Sequence, residues 1–129
     1  DKTEAYIAKL VELRQKKGMT EDQAKENGIA VKCGKFIMSA NGKSIITQEE
    51  RGFIKVVADE ATGKILGAQM MCARATDMIG EFVTAITNGL TVEQMLRGMR
   101  SHPTYNEGIG EALEELEGGA VHVVPRKKK

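Results

Sequence analysis

Two strand-like runs joined by a short link constrain the fold of this sequence more than any other feature. Residues 52–58 (GFIKVVA) and 65–72 (ILGAQMMC) are rich in apolar and β-branched residues, and the link between them, DEATGK, is rich in turn formers. A link this short cannot carry the chain back across a sheet to make a parallel pair. The two runs therefore predict an antiparallel hairpin.

Helix signals flank the hairpin on both sides. Residues 3–17 and 75–88 carry apolar side chains at helical spacing, and each segment ends before a glycine. Three capping-box patterns predict further helices, which begin after Thr20, Thr91 and Thr104.

Residues 29–38 alternate like a third strand, and the Asn41-Gly42 pair predicts a loop over residues 39–44. Strands early in the chain and helices late in it are typical of an α+β domain with helices packed on one face of a mostly antiparallel sheet.

Charge and cysteine usage exclude several classes of function. The net charge is +1 and the last four residues are all basic, so the rest of the chain is mildly acidic, unlike a nucleic-acid-binding surface. No stretch is long and apolar enough to span a membrane. Cys33 and Cys72 lack metal-site or redox-pair spacing, which predicts free thiols in a reducing cytosol and no metal site.

One short segment, RSHPTYNE from Arg100 to Glu107, has residues suited to proton transfer. If Thr104 is an N-cap, Glu107 occupies the third helical position and its carboxylate points back over the helix start, toward His102. A carboxylate on one ring nitrogen fixes the tautomer of an imidazole and makes it an oriented general base. The plainer alternative, a capping glutamate beside an ordinary loop histidine, is favoured by spacing alone.

The HPTxxE run resembles the C-terminal signature of dihydrolipoamide dehydrogenases and glutathione reductases, in the pyridine nucleotide-disulfide oxidoreductase family. The hairpin is similar to the family's FxKxxxDxxTGxILGA pattern. Further matches are GMTE at 18–21, SAN at 39–41 and NGLT at 88–91. These pieces occur in the family's order over roughly residues 18–117, and their joint occurrence is specific.

The resemblance implies the C-terminal interface domain of a homodimeric dihydrolipoamide dehydrogenase, with a sheet of about five strands. It implies that His102 is the acid/base toward a dithiol substrate such as a lipoyl-bearing protein, and that Glu107 orients it. It also implies that the backbone of His102 and Pro103 approaches the flavin of the partner subunit. The family often holds this His-Pro peptide in the cis form.

The motifs that bind cofactors in such an enzyme are missing from this sequence. No GxGxxG follows a strand and no CxxxxC pair is present. FAD and NAD are therefore expected in the full-length enzyme, while the chain alone is expected to bind neither and to be inactive.

Residues 1–17 are interpreted as an extension or edge element, 18–119 as the interface domain and 120–129 as a basic tail.

Arg100 stands where many dihydrolipoamide dehydrogenases have a second histidine, and this departure leaves the substrate open. Lys43 stands where an arginine is frequent. One alternative is the same domain of another disulfide reductase, such as glutathione reductase. Another is a stand-alone dimerisation or binding module without catalysis.

Five methionines are interpreted as core or interface filler: Met70, Met71, Met78, Met95 and Met99.

Overall fold

The predicted hairpin is present, and a third strand pairs beside it. The computed structural model describes residues 18–119, in which β1 (Val31–Ile37), β2 (Gly52–Asp59) and β3 (Ile65–Cys72) form an antiparallel sheet in the order β1-β2-β3. The helices are α1 (Glu21–Glu26), α2 (Gly42–Thr47), α3 (Ala75–Thr87), α4 (Val92–Leu96) and α5 (Glu107–Glu117), with a 3-10 turn at Met38–Ala40.

The α+β class is confirmed, but the described residues contain three strands rather than about five. At the outer edge of β3, the backbone N–H of Met19 donates to the carbonyl of Leu66 at 3.1 Å, without a further strand being formed there. The predicted helix at residues 3–17 and the basic tail with His122 lie outside the described residues.

The loop predicted over residues 39–44 is wrong, because a short helix occupies its second half. Asn41 is the N-cap of α2, and its side-chain oxygen accepts a hydrogen bond from the backbone N–H of Ser44. Asparagine is favoured both in turns and at helix N-caps, so the Asn41-Gly42 pair is compatible with either structure. The helix ends at Thr47, and its C-cap residue Gln48 has a left-handed backbone with φ 57°.

The core lies between the sheet and the helices, with α3 packed on β3 and α5 packed on β1. Alternate residues of β2, Ile54 and Val56, are fully buried on this face. Of the five methionines interpreted as filler, Met78 and Met95 are buried and Met70 packs against the core, whereas Met71 and Met99 are exposed. The buried hydrophobic side chains around them include Phe36, Met38, Phe82, Ile109, Ala112 and Leu113.

Gly34 in β1 allows α5 to lie unusually close to the sheet. A Cβ atom at Gly34 would come within 2.0 Å of the backbone carbonyl oxygen of Ala112 and 3.0 Å of the Leu116 side chain. No side chain other than hydrogen fits in that gap. This contact fixes the height of α5 above β1, and α5 begins at the candidate site.

On the opposite face of the sheet, α1 meets β2 through an ion pair. Glu21 accepts from Lys55 Nζ at 2.7 Å and from Lys25 Nζ at 2.8 Å. The two ammonium groups lower the pKa of Glu21 to about 2.

Glu21→Gln is expected to destabilise the chain at neutral pH and to lose that effect in acid. Because the folded-state pKa is lowered, the stabilisation is present above the ordinary carboxyl pKa of 4.5 and is lost as the pH falls toward about 2. Urea unfolding at several pH values measures the difference from wild type, with Glu26→Gln on the same helix as the control. A difference for Glu21→Gln that is as large at pH 2 as at pH 7 would contradict this assignment.

Candidate functional site

The loop between α4 and α5 carries the histidine and the glutamate singled out by the sequence. Helix α5 begins at Glu107, with Asn106 at the N-cap position and no side-chain capping bond there. The predicted start at Thr104 is therefore wrong, and Glu107 is the first helical residue rather than the third. The chain between them forms i→i+3 turns instead: the N–H of Gly108 donates to the carbonyl of Tyr105 at 3.0 Å, and that of Ile109 to the carbonyl of Asn106 at 2.9 Å.

The carboxylate of Glu107 nevertheless reaches both of its predicted partners. Its Oε1 lies 2.8 Å from His102 Nδ1, and its Oε2 accepts from the backbone N–H of Thr104 at 2.9 Å. A carboxylate accepts, so the proton of a neutral ring sits on Nδ1 and the lone pair is left on Nε2. One side chain therefore binds both the loop backbone and the imidazole.

The imidazole of His102 faces outward. Its side chain is 78% exposed, whereas that of Glu107 is 30% exposed. The His102–Pro103 peptide is cis. A ring held from behind by a carboxylate and open in front can exchange a proton with a group that approaches from outside the chain.

Three side chains that the sequence did not assign to the site fasten this loop to the body of the domain. Asn41 Nδ2 donates to the carbonyl of Thr104 at 3.0 Å. The hydroxyl of Tyr105 donates to Glu49 Oε2 at 2.7 Å and lies 2.7 Å from the Thr47 hydroxyl. Arg100 provides the third attachment.

Arg100 turns into the protein rather than toward the exposed imidazole. Its guanidinium pairs with Glu81 of α3, and its side chain is only 13% exposed. Its Nε atom is buried with no hydrogen-bond partner in the part of the chain that the structure describes. The residue two positions before His102 therefore ties the loop to α3 and does not extend the open surface beside the imidazole.

Residues 18–119 contain neither a cluster of metal ligands nor a thiol with a lowered pKa. Across residues 18–119 no group of three His, Cys, Asp or Glu side chains is arranged to hold a metal ion. Burial raises the pKa of the thiols of Cys33 and Cys72, which makes both weaker nucleophiles at neutral pH. None of the helices in this part of the chain is long and apolar enough to cross a membrane.

The described residues contain no cradle of their own for a flavin. No strand in residues 18–119 leads through a glycine-rich turn into a helix N-terminus, which is the geometry that cradles a dinucleotide phosphate. The loop at His102 and Pro103 instead presents an imidazole and backbone groups on an exposed surface.

Comparison with protein families matches residues 16–113 to the pyridine nucleotide-disulphide oxidoreductase dimerisation domain. A dihydrolipoyl dehydrogenase of Bacillus subtilis is 44% identical over 105 residues, which span 81% of this chain and 22% of that protein. One from Haloferax volcanii is 38% identical over 109 residues, which span 84% of this chain and 23% of the relative. The chain thus spans less than a quarter of the length of these relatives.

Solved structures share the fold. LpdA from Mycobacterium tuberculosis superposes with a TM-score of 0.72 at 20% identity, over 77% of this chain and 22% of that one. The HOCl-induced flavoprotein disulfide reductase RclA from Escherichia coli, as its Cu(II) complex, also gives 0.72, at 26% identity over 75% of this chain and 22% of that one.

Proposed function

The chain belongs to the dimerisation-domain family of pyridine nucleotide-disulphide oxidoreductases, and from this membership we propose that it is the interface domain of a homodimeric dihydrolipoamide dehydrogenase. In this proposal His102 and Glu107 are the acid/base pair for dithiol oxidation, and NAD is the final electron acceptor. The single observation that carries it is the 2.8 Å contact between His102 Nδ1 and Glu107 Oε1 on an exposed loop. The identity of 38–44% to dihydrolipoyl dehydrogenases favours dihydrolipoamide as the substrate.

His102 acts through its free nitrogen. With Nδ1–H donated to Glu107, Nε2 takes the proton of a substrate thiol and leaves a thiolate, which is the nucleophilic form of sulfur. The positive charge that develops on the ring is stabilised by the carboxylate 2.8 Å away. When the substrate disulfide is reduced in the reverse direction, the same nitrogen returns the proton.

The cofactors belong to segments beyond this domain. A bound flavin supplies a route for the electron pair from the dithiol to a nicotinamide. This chain contributes the base, the carboxylate that orients it, and the backbone of His102 and Pro103 as the surface that faces the partner subunit's flavin.

A second candidate is another flavoprotein disulfide reductase of the same family. The fold shared with RclA favours it, and so does Arg100, because a partly buried ion pair stands where many dihydrolipoamide dehydrogenases carry a histidine. The protein encoded by the complete reading frame is assayed with dihydrolipoamide and NAD, and separately with NAD(P)H and glutathione disulfide. Turnover with dihydrolipoamide supports the first candidate, and turnover with glutathione disulfide alone supports the second. Absence of both activities in a flavin-loaded dimer would favour a module without catalysis.

Glu107→Gln in that complete protein is expected to lower turnover by about tenfold to a hundredfold, which is part of the whole contribution of a positioned base. The amide can still accept from the Thr104 N–H, but it brings no charge to the imidazole. Glu111→Gln, one turn further along α5, makes the same charge change as the control. If Glu107→Gln turns over at the wild-type rate at equal flavin loading, Glu107 only stabilises the loop.

A further inference from the structure

A buried amide connects the turn after β1 to the loop of the candidate site. The side chain of Asn41 is 3% exposed, and Ser44 beside it is fully buried. Asn41 Oδ1 accepts from the backbone N–H of Ser44 at 2.9 Å and from the Ser44 hydroxyl at 3.0 Å. Its Nδ2 donates to the carbonyl of Thr104 at 3.0 Å. The amide therefore caps α2 with its oxygen and binds the loop with its nitrogen.

Thr104 is the residue through which this contact reaches the proton-transfer pair. Its backbone N–H donates to Glu107 Oε2 at 2.9 Å and its hydroxyl donates to the Ser101 carbonyl at 2.7 Å. The carbonyl held by Asn41 completes the set, so each polar group of Thr104 has a partner. Because His102 lies only two residues earlier, a displacement of Thr104 moves the imidazole relative to the carboxylate.

We propose that Asn41 is a positioning residue: by binding the carbonyl of Thr104, it holds His102 and Glu107 at the distance and orientation of their hydrogen bond. This inference rests on the proposed function where it concerns turnover, and on geometry alone where it concerns the pair itself. Asparagine suits the position because one planar group supplies an acceptor for the helix cap and a donor for the loop. Aspartate keeps the cap but has no donor, and serine keeps the cap but is too short to reach Thr104.

The Asn41 contact differs from the neighbouring attachment in its exposure to water. Tyr105 contacts Thr47 and Glu49 through exposed groups, where water competes for the same hydrogen bonds. Asn41 is buried and its bond to Thr104 is partly buried, so water replaces a lost partner there less readily than at the exposed Tyr105 contacts. Loss of the Asn41 donor is therefore expected to release the loop more than loss of the Tyr105 hydroxyl.

The first experiment measures the tautomer of His102 directly in the 129-residue chain. Long-range 15N NMR of the neutral imidazole reports whether the ring proton is on Nδ1, as the contact with Glu107 requires, or on Nε2. Asn41→Asp and Asn41→Ser are expected to shift population from the Nδ1–H form toward Nε2–H. Ser44→Ala, which removes a buried bond to Asn41 Oδ1 but keeps the donor to Thr104, is the matched control and is expected to retain the wild-type tautomer.

The second experiment measures turnover in the complete flavin-loaded protein. The Asn41 variants are expected to lose about tenfold in kcat with little change in KM, since misplacement of a catalytic group by about 1 Å can cost up to a hundredfold.

A tautomer shift in the Asn41 variants supports the positioning role even if dihydrolipoamide is not turned over, so the two proposals fail separately. An unchanged tautomer in a folded Asn41 variant overturns the inference, and so does an equal shift in Ser44→Ala. If neither Asn41 variant folds, Asn41 serves the fold and the inference is also overturned.

Discussion

His102→Gln is expected to slow dithiol oxidation by the complete enzyme by about two to four orders of magnitude, the usual contribution of a positioned general base. Glutamine can still hydrogen-bond to Glu107, but its amide takes no proton from a thiol near neutral pH. Flavin content is expected to survive, because the 78% exposed imidazole supports no part of the core. Steady-state rates at equal flavin loading measure the effect.

The other histidine of the sequence, His122, provides the matched control. His122→Gln is expected to leave turnover at the wild-type rate. If His102 were an ordinary loop residue, its replacement would also leave turnover unchanged, and stability would change by less than about 1 kcal/mol. That result would end the catalytic assignment of His102.

Gly34→Ala is expected to destabilise the chain strongly, by about 3 kcal/mol in the free energy of unfolding, at the upper end of what overpacking costs. The added methyl would lie 2.0 Å from the backbone oxygen of Ala112, and a backbone atom cannot turn away as a flexible side chain does. Helix α5 must therefore move away from β1 or the strand must deform. Urea unfolding monitored by circular dichroism measures the loss.

Gly80→Ala in α3 separates the steric effect from the loss of a glycine. A Cβ atom at Gly80 meets nothing within 4 Å, and alanine is favoured over glycine inside a helix by about 0.5–1 kcal/mol. This control is expected to stabilise the chain slightly. Comparable stability changes in the two variants would show that β1 and α5 do not lie as close as 2.0 Å implies.

Features of the fold that depend on local sequence were predictable. The hairpin follows from two apolar runs and a short link, and the capping boxes at Thr20 and Thr91 are both formed. The predicted start of α5 at Thr104 was wrong because the chain after Thr104 first makes i→i+3 turns, through Gly108 N–H to Tyr105 and Ile109 N–H to Asn106. Such turns are frequent at helix ends, and a pattern does not contain the small energy differences that decide between them and a regular helical turn.

In the candidate site, too, contacts between residues close in the sequence were predictable and contacts between distant residues were not. His102 and Glu107 lie five positions apart, so their contact could be inferred from the chain's local geometry and from the family resemblance. Asn41 and Thr104 are separated by 63 positions, and Arg100 and Glu81 by 19. These contacts depend on how α2 and α3 pack, and only the tertiary structure brings the partners together.

The two oxygens of Glu107 have a consequence for how related sequences are compared. Because one oxygen binds the loop backbone and the other the imidazole, selection for a well-ordered loop and selection for proton transfer both retain a glutamate here. A relative that keeps this glutamate but has lost the histidine is therefore no evidence of a former or surviving catalyst. Only joint retention of both residues is informative about chemistry, and a screen for thermal stability alone would preserve Glu107 while the activity was lost.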